Sequence, residues 1–242
     1  MAPVTEHHEK VLIVAHGSPS NPAPQEAALG RLATRVAEYL PGWRVAGATL
    51  AAPGRFDAAV ADLGRPVIYP FFMARGWFTG KVLARRAAER GLHVLRPFGT
   101  ESALARVARD RLAAIMAARN WRAAETSLLI AAHGSAISKT SANSARDFAE
   151  AVAVAGGFAR VRLGFLEQPP FLTDAARGLG RAICLPWLAT ASGHMEEDVP
   201  AELAAAGFTG PVLPPFIDWA DTAPLIAAGI LRQHSAARVS LR

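Results

Sequence analysis

His133, Glu167 and His194 are the residues of this 242-residue chain whose types and placement point to chemistry. Each follows an apolar run. His133 ends Leu128-Leu129-Ile130-Ala131-Ala132 and enters a Gly-Ser turn, and Glu167 follows Phe165-Leu166. His194 stands in Ser192-Gly193-His194-Met195-Glu196-Glu197-Asp198-Val199, a few residues past Leu185-Pro186-Trp187. Two imidazoles and a carboxylate suit borderline divalent ions such as Co2+, Fe2+, Ni2+ and Zn2+, and three protein ligands leave positions open for water or substrate. A neutral imidazole also takes up a proton near pH 7, so the same trio is competent for general-base work. A single strand-end histidine is more simply explained by a backbone carbonyl capping it, but three such residues at corresponding strand ends weaken that explanation.

Parallel strands are the elements that place side chains this way, because a buried strand presents its next residue at its carboxyl end. The His133 phrase occurs twice: Val11-Leu12-Ile13-Val14-Ala15-His16-Gly17-Ser18 precedes it by 117 positions. Apolar, β-rich runs alternate throughout with alanine-rich helical stretches, which is the pattern of an α/β fold with helix-covered parallel sheets. Strands are predicted near 11–15, 43–50, 66–71 and 92–96, with helices near 24–39, 55–63, 80–90 and 101–118. The second half repeats the order, with strands near 127–132, 159–166, 181–187 and 211–214 and helices near 141–154, 170–178, 196–206 and 219–232. A boundary near Asn120-Trp121-Arg122 gives two similar flavodoxin-like βα domains, 1–121 and 122–242, related by internal repeat and packed around a shared cleft.

The halves differ at the polar positions. His16 matches His133, but Thr49-Leu50-Ala51-Ala52-Pro53 matches Phe165-Leu166-Glu167-Gln168-Pro169, so Ala51 stands for Glu167. Gly76 and Gly193 are again 117 apart, which sets Trp77 opposite His194. The metal or proton chemistry is therefore expected in the second half.

Composition excludes several classes. A hydrophobic content of 51% is ample for a packed core, no run reaches the length of a membrane span, and the amino terminus lacks the order of a secretory signal, so a cytoplasmic protein is expected. One cysteine, Cys184, allows neither an intramolecular disulfide nor a multi-cysteine metal site. Residues 1–121 carry 16 Lys/Arg against 9 Asp/Glu, and residues 122–242 carry 10 against 11. The basic half has no nucleic-acid-binding signature, so no nucleic-acid partner is expected; a small polyanionic ligand fits as well. Ser18 and Ser135 lack the setting of a hydrolase nucleophile, and no glycine pattern indicates a nucleotide cofactor. His7, His8, His93 and His234 are assigned no function.

With these residues in hand, the chain resembles the class II tetrapyrrole chelatases, closest to the CbiX-type sirohydrochlorin cobaltochelatases, with the ferrochelatases of sirohaem synthesis alongside. The turn Ala132-His133-Gly134-Ser135, the segment Phe165-Leu166-Glu167-Gln168-Pro169 and the run from Ser192 to Pro200 carry the likeness, which spans both halves and is strongest over 127–203. The resemblance implies a chelatase-like fold and insertion of Co2+ or Fe2+ into a sirohydrochlorin-type tetrapyrrole, in cobalamin or sirohaem biosynthesis. It implies His133 and His194 as paired metal-site histidines and Glu167 as the matching acidic residue, which either completes the site or accepts a pyrrole proton. The metal is then a substrate.

Charge divides the labour. Residues 192–213 hold Glu196, Glu197, Asp198 and Glu202 without Lys or Arg, whereas 75–96 hold Arg75, Lys81, Arg85, Arg86, Arg90 and Arg96 against Glu89 alone. A carboxylate-rimmed macrocycle would meet a basic first half, so Arg75, Lys81, Trp77, Ser135 and His16 are the substrate-binding candidates, with Trp187 and Phe71 or Phe72 as further stacking surface. The plainer alternatives are a solvated helix face for the arginines and core packing for the aromatics. Because both lobes share one chain, a monomer is expected. Competing functions are a non-catalytic metal or tetrapyrrole carrier of the same fold, and a phosphate- or sugar-binding module.

Overall fold

In the computed structural model, which describes residues 9–135, 139–191 and 194–240, the chain forms two three-stranded parallel sheets flanked by helices. One sheet holds β1 (Glu9–Ala15), β2 (Trp43–Thr49) and β3 (Val67–Pro70) in the order β2-β1-β3; the other holds β4 (Ser127–Ala132), β5 (Arg160–Phe165) and β6 (Ala182–Trp187) in the order β5-β4-β6. The α/β class with repeated parallel sheets is as the sequence pattern predicts. Every residue of β4 is buried, which is why its sequence reads as an unbroken apolar run rather than an alternating one. Registers match between the sheets: Ala15 faces Thr49 as Ala132 faces Phe165, and Val14 faces Pro70 as Ala131 faces Pro186. The fourth strands expected near 92–96 and 211–214 shrink to single bridges, Ile68 to Val94 and Cys184 to Val212. Pro97 closes the first, and Pro211, Pro214 and Pro215 flank the second, removing the backbone donors a longer ladder needs.

The helices are α1 (Pro22–Ala37), α2 (Arg55–Leu63), α3 (Ala84–Ala88), α4 (Leu104–Ala118), α5 (Lys139–Gly156), α6 (Leu172–Ala176), α7 (Val199–Ala205) and α8 (Thr222–Ser240). The helices expected near 80–90 and 196–206 each open with a π-helical turn, Phe78–Leu83 before α3 and His194–Asp198 before α7. Such turns are uncommon and concentrate at functional sites.

Two compact units form, and they divide the chain differently from the sequence repeat. One comprises the described parts of Met1–Phe72, Phe78–Phe98 and Ala223–Arg242; the other comprises those of Met73–Trp77 and Gly99–Thr222. The last helix of each half is thus exchanged. In the first unit α8 lies against the β1–β3 sheet: the Trp43 ring meets His234 edge-on at 5.1 Å, His234 Nε2 is 3.3 Å from Glu9 Oε1, and the Arg96 amide donates to Gln233 Oε1 at 2.6 Å. His234 is therefore part of the packing. In the second unit Arg111 of α4 lies 4.9 Å over the Trp219 ring, and the Ser144 hydroxyl of α5 donates to the Met73 carbonyl at 2.6 Å.

Cys184 is wholly buried in β6, and desolvation pushes its thiol up to about 12, so it stays protonated as core. Among the described residues, no helix is long and apolar enough to cross a membrane.

Candidate functional site

His133 is the first residue past β4, and the turn that carries it is fixed by backbone geometry. Gly134 has φ +74°, a conformation that disfavours a side chain, and a Cβ there would lie 2.8 Å from Gln168 Cγ and 3.1 Å from Phe165 Cβ. The amides of Leu166 and Glu167 donate to the carbonyls of Ala132 and His133, both at 3.0 Å, which extends the β4–β5 pairing one step beyond the strands. That extension brings the Glu167 carboxylate to the imidazole: Oε2 lies 3.5 Å from His133 Nδ1, while Nδ1 is 3.1 Å from the Gly134 carbonyl. The Ser135 amide donates to Gln168 Oε1 at 2.9 Å, pinning the far side of the turn. His133 and Glu167 are 34% and 48% exposed, so their pairing contributes little to folding, about 0–1 kcal/mol for surface pairs of this kind. A carbonyl and a carboxylate beside Nδ1 orient the imidazole, as partners of the ring nitrogen not bound to metal do in metal-binding histidines.

The first unit builds the same turn with different side chains. Leu50 and Ala51 donate to the carbonyls of Ala15 and His16 at 2.9 Å, and Gly17 has φ +80°. These bonds put Ala51 where Glu167 stands and Ala52 where Gln168 stands. The carboxylate near the end of β2 comes instead from Glu26, which accepts the Thr49 amide at 2.8 Å and Arg55 Nε at 2.9 Å; its side chain is only 14% exposed.

At the third strand the structure corrects the pairing of His194 with Trp77. Pro70 and Pro186 hold the same register, and Leu83 and Ala87 are buried as Val199 and Leu203 are, each pair 116 positions apart. The amides of Leu92 and Phe208 donate alike to the carbonyls of Ala87 and Leu203. With no insertion between β3 and α3, the residue matching His194 is Phe78, and both open their π turns. The matching of Gly76 with Gly193 missed this by one position, because glycines in a loop mark no register. The Phe78 ring lies 3.9 Å from the His16 ring, tilted by 35°. The His194 side chain, with Ser192 and Gly193, lies outside the described residues, as do His7 and His8. Among the described residues, which lack that imidazole, no three His, Cys, Asp or Glu side chains gather as a metal site.

The remaining candidates fall in different places. Trp77 is 61% exposed, whereas Trp187 and Phe71 are core, Trp187 stacked on Phe148 at 4.0 Å and Phe71 packed on Phe98 at 4.9 Å, so neither is a stacking surface for a ligand. Lys81 is exposed in the first unit. Arg75 belongs to the second, where it lines a cavity of about 490 Å³ together with Glu101, Thr140, Asn143 and Asp147. Arg85 and Arg90 are engaged by Glu89 and Asp57, which makes part of the basic run an ion-paired helix face. Sequence reasoning passed over Gln168 and Phe78. The first was signalled by standing next to Glu167, the second by counting from the strand prolines.

The comparisons agree with this internal duplication. The CbiX family profile matches twice, over residues 10–115 and 127–223. A solved structure described as CbiX, the terminal enzyme for biosynthesis of siroheme in denitrifying bacteria, is 43% identical, covers 93% of this chain and 99% of its own, and superposes with a TM-score of 0.84. SirB from Bacillus subtilis with Fe3+ shares the fold at 15% identity, with 94% of each chain covered and a TM-score of 0.67. DR2241 from Deinococcus radiodurans, a multi-domain protein with structural similarity to chelatases, shares it at 18% identity over 91% of this chain and 54% of its own, with a TM-score of 0.66. Among curated protein sequences none matches. On a profile that covers both halves and a full-length relative at 43% identity, the chain belongs to the CbiX family.

Proposed function

We propose that the protein inserts a divalent metal, Co2+ or Fe2+, into a sirohydrochlorin-type tetrapyrrole without a nucleotide cofactor, and that His133, Glu167 and His194 do the work. The observation that carries this reading is the half-exposed His133–Glu167 pair at 3.5 Å, at the carboxyl ends of adjacent parallel strands where ligands of such sheets gather. The approach is to Nδ1, the nitrogen already facing the Gly134 carbonyl, which supports Glu167 as the group that orients His133 and receives a proton rather than as a third ligand. Insertion requires the ion to shed water and the ring to release two pyrrole protons. His133 and His194 hold the ion with open positions, so that it can be handed on, and Glu196, Glu197 and Asp198 beside His194 concentrate cations there. A closed four-ligand site would be a poor donor.

The first copy, 1–121, serves the macrocycle rather than the metal, with Lys81 a contact for its carboxylates. Siroheme synthesis, the role named for the 43%-identical relative, favours iron as the ion. The test is incubation of the pure protein with metal-free sirohydrochlorin and Co2+ or Fe2+ while the absorbance is followed. Multiple turnovers support a chelatase. Binding that stops at one equivalent means a carrier, and no spectral change means neither.

A further inference from the structure

In the first unit the three polar positions read His16, Ala51 and Phe78 where the second has His133, Glu167 and His194. A methyl and a phenyl in place of a carboxylate and an imidazole leave no ligand set for an ion. The imidazole that remains is covered by Phe78 at 3.9 Å. Thr79 and Leu83 of the same π turn are buried, while Phe78 is 37% exposed just beyond β3. A partly exposed phenyl beyond the end of a parallel strand, backed by a second ring, offers an apolar face where ligands of such sheets gather. Lys81, exposed on the same turn, adds a cation beside it.

Resting on the chelatase reading above, we propose that Phe78, backed by His16, seats one face of the conjugated macrocycle, so that the duplicated metal position became a substrate position. Phe78 supplies an aromatic face, which prefers offset or tilted contact with another π system, and Lys81 pairs with a peripheral carboxylate. His16 is a positioning residue: it holds the phenyl in place and binds no metal.

The test is equilibrium binding of metal-free sirohydrochlorin in the absence of metal, with Co2+ binding measured separately in the absence of the macrocycle. Phe78→Ala raises the macrocycle Kd by about three- to ten-fold, the range for one aromatic contact. Phe78→Tyr stays within about two-fold of the wild type. His16→Ala raises the same Kd, His16→Phe restores it, and Co2+ affinity is unmoved in all four variants. Unchanged macrocycle affinity in Phe78→Ala with metal insertion intact overturns the seat and leaves the chelatase reading standing. Phe78-dependent binding without metal insertion by the wild type keeps the seat and removes the chelatase reading. A loss of Co2+ affinity in His16→Ala overturns the positioning role.

Discussion

The turns that carry His16 and His133 are one backbone with two chemistries. In both, a glycine at positive φ follows the histidine, and the second strand donates two amides to the first just beyond its end. What differs is the side chain each neighbouring strand adds: Glu167 against Ala51, and, by register, residue 194 against Phe78. The carboxylates differ in employment as well. Glu26, largely buried, ties down the end of β2, whereas Glu167, half exposed, faces an imidazole. Ala51 sustains the same main-chain turn, so the turn itself does not depend on a carboxylate. The scaffold is held by glycine and main-chain hydrogen bonds, and chemistry is written on it at a few strand ends.

That comparison breaks most visibly at the histidines. His133→Ala is expected to lower the metal-insertion rate by about 100-fold or more, since loss even of an orienting partner costs 10- to 100-fold at such sites. His16→Ala leaves the same rate, measured at saturating tetrapyrrole, within a few-fold of the wild type. Equal losses in steady-state assays would mean that both turns handle metal. Next in size is Glu167→Gln, which keeps the shape but not the charge and should cost about ten-fold in the same assay. The converse exchange, Ala51→Glu with Phe78→His, gives the first unit the second unit's residues and should add a second equivalent in a Co2+ titration.

A stability comparison comes next. Gly17→Ala and Gly134→Ala both force a side chain into positive φ, at about 1–3 kcal/mol in urea unfolding. Gly17→Ala should be the more costly. Its Cβ would meet the Cβ of buried Thr49 at 2.7 Å, whereas at Gly134 the nearest atom, Gln168 Cγ at 2.8 Å, belongs to a side chain that can swing aside.

The strands that present His16 and His133 were legible because a strand buried on both faces must be apolar throughout, and β4 ends where its apolar run ends. Ala51 opposite Glu167 was legible for the same reason, since strand register fixes it. Phe78 was not, because residue matching across a loop requires knowing that α3 and α7 bury Leu83 and Val199 alike, and that is a fact of packing. The exchange of α4 and α8 between the units was hidden too. An amphipathic helix announces a face to bury, not the sheet it will bury it on, and only contacts such as Trp43 with His234 disclose the choice. Chain order is a good guide to repeats and a poor one to the partner of a terminal helix.

Gln168 is the smallest of the differences between the turns and the one that separates scaffold from chemistry. Its Oε1 accepts the Ser135 amide at 2.9 Å, two residues beyond His133, and Ala52 in the first unit has no amide to offer. Gln168→Ala removes one half-buried hydrogen bond, worth about 1 kcal/mol in thermal or urea unfolding. If the bond serves only the fold, metal insertion changes no more than stability does. If it also holds His133 in line for the ion, the rate falls by about five-fold, the equivalent of that same 1 kcal/mol, at temperatures where the protein remains fully folded. A rate loss without unfolding would show that this bond holds the second unit's turn for the reaction as well as for the fold.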